Sequence, residues 1–222
     1  MSAVETQEVE KRYGPVRALR DVSFSVPEGT VTLVAGPNGA GKSTLLRILA
    51  CLTRPTSGLI RILGRDPFRK DGPALRSELG WLGPEPGLYA DLTVEENLAF
   101  VARLHGSDSG RVESVLEELG LAAMRHRRAR TLSQGYRRRT GLARALLHQP
   151  RILLLDEPWN GLDEEASERL TKVLKGHRAR GGTVLVAAHA VPAARELADQ
   201  VLRLEQGVLR MLPGSPREET HG

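Results

Sequence analysis

The chain has 222 residues, a formal net charge of +5, 27% charged residues and 40% from the AVILMFWYC set, which suffices for one substantial domain, with or without a subdomain, of ordinary globular composition. A single cysteine, Cys51, excludes an intrachain disulfide and suits a reducing compartment; no apolar run reaches membrane-span length, and MSAVETQEVEKRYG is too polar for a secretory signal, so the expected location is cytoplasmic. The basic balance permits nucleic acid, a membrane surface or an anionic ligand and selects none of them.

In chain order, residues 1–30 read as short strands and turns, with VRALRDVSFSVPEGT alternating around Val22, Phe24 and Val26 before Pro27-Glu28-Gly29 turns the chain. VTLVA predicts a buried strand and STLLRILACL a helix, in which Cys51 is a small buried hydrophobe rather than a nucleophile. RPTSG predicts a turn and LIRILG a strand. From about Ser77 to His148 the texture changes: ELGWLGPEPGLYADLT is rich in Gly and Pro, and two helical patterns follow, Leu98-Val101-Ala102 and Val112-Val115-Leu116-Leu119. This marks a helical insertion, about 84–150, in an otherwise alternating β/α chain. RILLLDEP and TVLVAAH predict further strands around a helix over EEASERLTKVLKGHRAR; a last helix and hairpin-like strands follow, then a polar, disordered tail over 213–222. The alternation implies a parallel sheet with helices on both faces.

GPNGAGKST, 36–44, fits G-x-x-x-x-G-K-(S/T) between a predicted strand and helix. Glycine freedom lets successive N–H groups turn inward around an anion, and the following helix points its positive end at the same place. The loop Gly36, Pro37, Asn38, Gly39, Ala40, Gly41, Lys42, Ser43 and Thr44 is therefore expected to bind ATP, with Lys42 on the β- and γ-phosphates and the Ser43 hydroxyl on Mg²⁺. In ILLLDEP, Asp156 and Glu157 leave an apolar strand at its carboxyl end, the rim where the phosphates lie. Asp156 is expected to hold Mg²⁺ and Glu157 to act as general base on the attacking water, with His189, closing VLVAAH, fixing that water and the γ-phosphate.

With TLSQGYRRRTGLARALLHQP and NGLD between these segments, the chain from about residue 4 to 212 resembles the ATP-binding subunit of an ABC transporter. The resemblance implies an α/β P-loop NTPase fold in one domain, 1–212: a mainly parallel sheet core, an N-terminal antiparallel β subdomain and the inserted helices. It implies that Tyr13 stacks on adenine, that LSQGY, 132–136, grips the γ-phosphate of ATP on a second subunit through Ser133 and Gly135, and that Asp163 communicates between the two sites. Gln134 and Tyr136 depart from the common signature LSGGQ. The glutamine usual after the third strand is missing from WLGPEPGLY; its position falls on Glu85 or Pro84, and Glu85 would be a harder metal ligand with an extra negative charge. The implied partners are a second ATPase subunit, most simply a head-to-tail homodimer, and integral membrane subunits docked on the inserted helices. LGPEPGLYADLTVEENLAFVARLHG resembles exporter ATPases, among them that of the bacterial haem exporter of cytochrome c maturation and those of drug, polysaccharide and sodium exporters.

RHRRAR, 125–130, and Arg137, Arg138 and Arg139 invite a nucleic-acid reading, but only 4% of the chain is aromatic and base stacking has little support. No nucleic-acid partner is expected, and most of these arginines read as a solvated face. Trp81 and Trp159 read as packing, Trp159 beside a dimer contact. A soluble non-transport ABC ATPase, a P-loop kinase and a weakly hydrolysing binding module compete with the transport reading; the single cassette without sustained heptads, the signature, and Glu157 with His189 weigh against them in turn.

Overall fold

The computed structural model describes residues 1–70, 72–189 and 191–210; the polar tail over 213–222 lies outside them. Among the described residues the elements run β1 (Ser2–Tyr13), β2 (Val16–Pro27), β3 (Val31–Ala35), α1 (Lys42–Leu49), β4 (Ser57–Ile62), α2 (Gly72–Arg76), β5 (Leu79–Leu82), α3 (Val94–His105), α4 (Ser109–Glu118), α5 (Gln134–Leu146), β6 (Ile152–Asp156), α6 (Glu164–Ala179), β7 (Thr183–Ala188), α7 (Pro192–Leu197), β8 (Gln200–Glu205) and β9 (Val208–Arg210). They form a three-stranded antiparallel sheet, β2-β1-β4, and a six-stranded sheet, β5-β6-β7-β3-β8-β9, in which the first five strands are parallel and β9 returns as a hairpin. The α/β class, the mainly parallel core and the antiparallel N-terminal sheet agree with the sequence reading.

The parallel sheet is the middle layer because its strands are apolar on both faces, as strands covered on both sides must be. On β6, Ile152 and Leu154 join the core beneath α1 and the antiparallel sheet, whereas Leu153 and Leu155 join the core beneath the helices of the insertion and α6. On β7, Leu185 and Ala187 face the first core, and Val184 and Val186 the second. Each fully buried leucine contributes roughly 1.5–3 kcal/mol, so a one-residue slip of β6 would move four leucine or isoleucine side chains to the wrong core. Leu98, Val101, Ala102, Val112, Val115, Leu116 and Leu119, picked out by helical spacing, are all buried in the second core. A capping box starts α3: the Thr93 hydroxyl accepts from the Glu96 N–H at 3.1 Å and the Glu96 carboxylate from the Thr93 N–H at 2.8 Å.

Two expectations are corrected. Residues 1–30 are not short strands: β1 and β2 are twelve residues each. Their alternation is broken by register shifts and by Glu8 and Asp21 at φ 48° and 52°, which bulge the ladder and hide the period of two. The helix after the glycine loop ends at Leu49, so Cys51 lies beyond it, half-buried at φ 59°. Burial pushes its thiol up to about 11 against the pull of Arg76, which keeps it protonated at neutral pH. Trp159 is packed into the core, in line with its reading as a packing residue. Among the described residues, no helix is long and apolar enough to cross a membrane.

Candidate functional site

The glycine loop leaves β3 in the middle of the parallel sheet, at the end of the strand. Ala35 pairs with Ala188 of β7, and Asp156 of β6 pairs with Ala187, so three strand ends bring loop, carboxylates and His189 to one rim. Gly41 has no substitute here: its φ is 104°, and a Cβ would stand 2.5 Å from the Ala18 carbonyl and 2.9 Å from Leu19. At Gly36 a Cβ would run into the Leu204 carbonyl. Helix α1 begins at Lys42 with no side-chain cap and no acidic residue in its first turn, which leaves its first N–H groups and positive end for an anion.

Lys42 is only 5% exposed. Its ammonium donates to the Gly36 carbonyl at 2.8 Å and the Pro37 carbonyl at 3.1 Å, and stands 3.7 Å from Glu157 Oε1. Ser43 and Thr44 are half-buried in the same turn.

Asp156 is 1% exposed, and neither carboxylate oxygen has a hydrogen-bond partner. A buried carboxylate left so costs several kcal/mol. Strand alternation puts it on the face of Ile152 and Leu154, the face that α1 covers. This fits a magnesium ion carried by phosphates, which takes one or two protein oxygens and completes its shell with phosphate and water. No group of three or more His, Cys, Asp or Glu among the described residues could hold a metal by itself.

Glu157 follows with φ 51°, a left-handed backbone that costs a non-glycine residue about 1–3 kcal/mol. Its N–H donates to the Ala187 carbonyl at 2.8 Å, and its Oε2 accepts from the His189 main-chain N–H at 3.3 Å. His189 thus meets Glu157 through its backbone, while the residue itself is exposed.

The segment LSQGY opens α5. Ser133 is the N-cap, accepting from the Tyr136 N–H at a long 3.4 Å. Gly135 lies where a Cβ would come 2.9 Å from the Gly161 carbonyl, so the signature packs on the loop after β6. That loop ends at Asp163, the N-cap of α6, which accepts from the Ala166 N–H at 2.8 Å. Tyr13, 47% exposed, ends β1 opposite Val16, with the Lys11 ammonium 5.0 Å over its ring. Glu85 is exposed beyond β5. Loop, Lys42, Asp156, Glu157 and His189 are thus brought together, whereas Ser133, Gly135 and Asp163 gather at the signature and Glu85 stands in the β5–α3 connection.

The expectation of a solvated arginine face on α5 fails at Arg138. Arg137 is exposed and Arg139 lies half-buried with its guanidinium 4.2 Å over the Tyr136 ring, but Arg138 is 6% exposed. Its guanidinium donates to the carbonyls of Gly83 at 2.7 Å, Pro84 at 2.9 Å, Glu157 at 2.8 Å, and Asp156. Burial lowers its pKa while the Asp156 and Glu157 carboxylates raise it; an arginine stays charged through such shifts. Helical spacing is the available signal: Arg138, Leu142 and Ala145 share one buried stripe of α5.

A family model described as "ABC transporter" matches residues 19–160. The lantibiotic transport ATP-binding protein SrtF of Streptococcus pyogenes is 33% identical over 92% of this chain and 87% of its own length. The ABC transporter ATP-binding protein NatA of Bacillus subtilis is 34% identical over 86% and 80%. The sulfate/thiosulfate import ATP-binding protein CysA of Mycolicibacterium paratuberculosis is 36% identical over 97% of this chain and 60% of its own length. Among solved structures, a dimeric post-hydrolysis state of an ATP-binding cassette with ADP and Pi superposes with TM-score 0.84 at 30% identity, covering 94% of this chain and 97% of that one. The ATP-binding subunit of an ABC transporter superposes at 0.86 with 28% identity over 95% and 89%.

Proposed function

Because the chain belongs to the ABC transporter family and is an ATPase of that family, we propose that it is the cytoplasmic ATP-hydrolysing subunit of a transporter, held at the inner face of the membrane by separate integral subunits. The observation that carries the reading is the buried, partnerless Asp156 carboxylate beside the Lys42–Glu157 pair at the positive end of α1. ATP lies in the loop Gly36 to Thr44, with Tyr13 against the adenine. Ser43 and Asp156 would hold Mg²⁺, which when bound would supply charge neutralisation at the phosphates. Glu157 takes the proton of the attacking water, and the His189 N–H keeps its carboxylate in place.

A second copy, head to tail, completes each site with Ser133 and Gly135, and Asp163 lies between the two sites. That a solved post-hydrolysis cassette with ADP and Pi is dimeric supports the pairing of two copies. ATP then acts as the link that closes the pair, and hydrolysis opens it. The inserted helices take the membrane subunits, so closure moves the transport path. Export, haem export included, rests on the likeness of residues 82–106 to exporter ATPases. Relatives named for lantibiotic transport and for sulfate import share comparable identity, so the membrane partner decides cargo and direction. Isolating the tagged chain from membranes in mild detergent should bring a multi-span membrane protein with it in fixed ratio; recovery with ribosomes or DNA instead would replace transport by a soluble ATPase role.

Glu85 enters this reading as a metal ligand in place of glutamine. Glu85→Gln should leave Mg-ATP binding intact and raise the Mg²⁺ concentration for half-maximal turnover by about threefold, as one anionic ligand becomes neutral. An unchanged magnesium titration would remove Glu85 from the metal's surroundings.

A further inference from the structure

One side chain, Arg138, joins three parts of the site that are far apart in sequence. It projects from α5, five residues after Ser133, and its two terminal nitrogens divide the work. Nη1 donates to the carbonyls of Gly83 and Pro84, where β5 gives way to the segment carrying Glu85. Nη2 donates to the carbonyls of Asp156 and Glu157, where β6 ends. A planar guanidinium can hold two such pairs at once; an ammonium is a single point and cannot.

Two further observations give the contact a purpose beyond packing. First, Arg138 meets the main chain of Asp156 and not its carboxylate, whose oxygens stay without a hydrogen-bond partner. A buried cation is thus set beside the metal-ligand candidate without consuming its ligand atoms. Second, Glu157 is held in the left-handed region at φ 51°, which a glutamate keeps only when its surroundings impose it. Its N–H is bound by the Ala187 carbonyl and its carbonyl by Arg138, so both ends of the strained residue are pinned. The direction of its side chain toward Lys42 and the His189 N–H follows from that backbone.

We propose that Arg138 is a positioning residue for hydrolysis, fixing the Asp156 and Glu157 backbones so that the two carboxylates face the phosphates, and tying their geometry to α5 and to the start of the β5–α3 segment. The assignment rests on the reading of Asp156 and Glu157 given above. It makes the signature helix and the hydrolytic strand end move as one body, and it predicts that loosening the clamp costs turnover rather than nucleotide affinity.

The test uses Arg138→Met and Arg138→Lys, each alone and combined with Glu157→Gln, in the full chain. Steady-state ATPase rates, Mg-ATP affinity and thermal midpoint are measured for each. Arg138→Met should lower kcat by about 10- to 100-fold, the range that misplacement by about an ångström produces, with Kd for Mg-ATP within about threefold. Arg138→Lys should lose about 3- to 10-fold, since one ammonium serves fewer carbonyls. In the Glu157→Gln background neither change should reduce the residual rate much further, because both act through the same group. Wild-type kcat in both arginine variants would overturn the assignment, as would a full multiplicative loss on Glu157→Gln, or a fall in the Arg138→Lys rate matched by the loss of folded protein. If Arg138→Met does not fold, Arg138→Lys decides alone. Glu157→Gln by itself separates the two claims: normal turnover there removes Glu157 from the chemistry and with it the route given to Arg138, while slow turnover there with normal arginine variants removes Arg138 only.

Discussion

Lys42→Ala is expected to weaken Mg-ATP binding by on the order of a hundredfold and to leave no measurable turnover. Lys42 carries the only full charge among the nine residues from Gly36 to Thr44, so the remaining loop offers amide dipoles alone. Loss of a charge-assisted hydrogen bond to phosphate costs roughly 1.5–3 kcal/mol, and about 1.4 kcal/mol is tenfold in Kd. A second term acts in the same direction. The ammonium stands 3.7 Å from Glu157; without it, that carboxylate meets the incoming γ-phosphate unbalanced, and like charges repel. The fold itself should survive. Alanine is the best helix former at the first residue of α1, and what is lost is a partner for the Gly36 and Pro37 carbonyls, about 1–2 kcal/mol, or a midpoint shift of up to about 8 °C. Calorimetric titration with Mg-ATP, alongside a thermal scan, reads both quantities. Wild-type affinity in the folded variant would remove the phosphate-loop assignment and the mechanism built upon it.

How far the amino-acid sequence reveals this site depends on the range of the interactions that build it. The proposed phosphate loop is legible because all its determinants are local: glycines, lysine and serine at fixed spacing between one strand and one helix. Asp156 is legible from the apolar strand that delivers it. The inserted helices show in their apolar spacing. The N-terminal strands are harder, since the bulges at Glu8 and Asp21 shift the buried face partway along and erase the alternation. Arg138 is hidden for a different reason. In sequence it is one of three successive arginines; only when β5 and β6 lie side by side do four carbonyls converge on one point, 18 to 55 residues away. The left-handed backbone of Glu157 leaves no mark in sequence either, because glutamate has no preference for that region and long-range contacts impose it.

Glu157→Gln should bind Mg-ATP at near wild-type affinity, hydrolyse it about 10²- to 10⁴-fold more slowly, and elute as a dimer when ATP is present. Glutamine has the shape of glutamate and pays the same backbone cost at φ 51°, so the strand end should keep its form. One side-chain oxygen can still accept from the His189 N–H, which the glutamate meets at 3.3 Å. What glutamine cannot do is accept a proton from water. The charge change works on binding as well: the Lys42 ammonium loses the carboxylate 3.7 Å away and is freer to turn to phosphate, so affinity should hold or rise. If two copies share each ATP, blocking the step that reopens them lets the closed pair accumulate, by mass action on a state that only nucleotide stabilises. The two readouts are independent. Slow hydrolysis without dimerisation would keep Glu157 as the base and remove the shared site; dimerisation with normal hydrolysis would do the reverse. A variant that stays monomeric and hydrolyses normally would contradict both, because the carboxylate would then neither move a proton nor govern how long the pair stays shut.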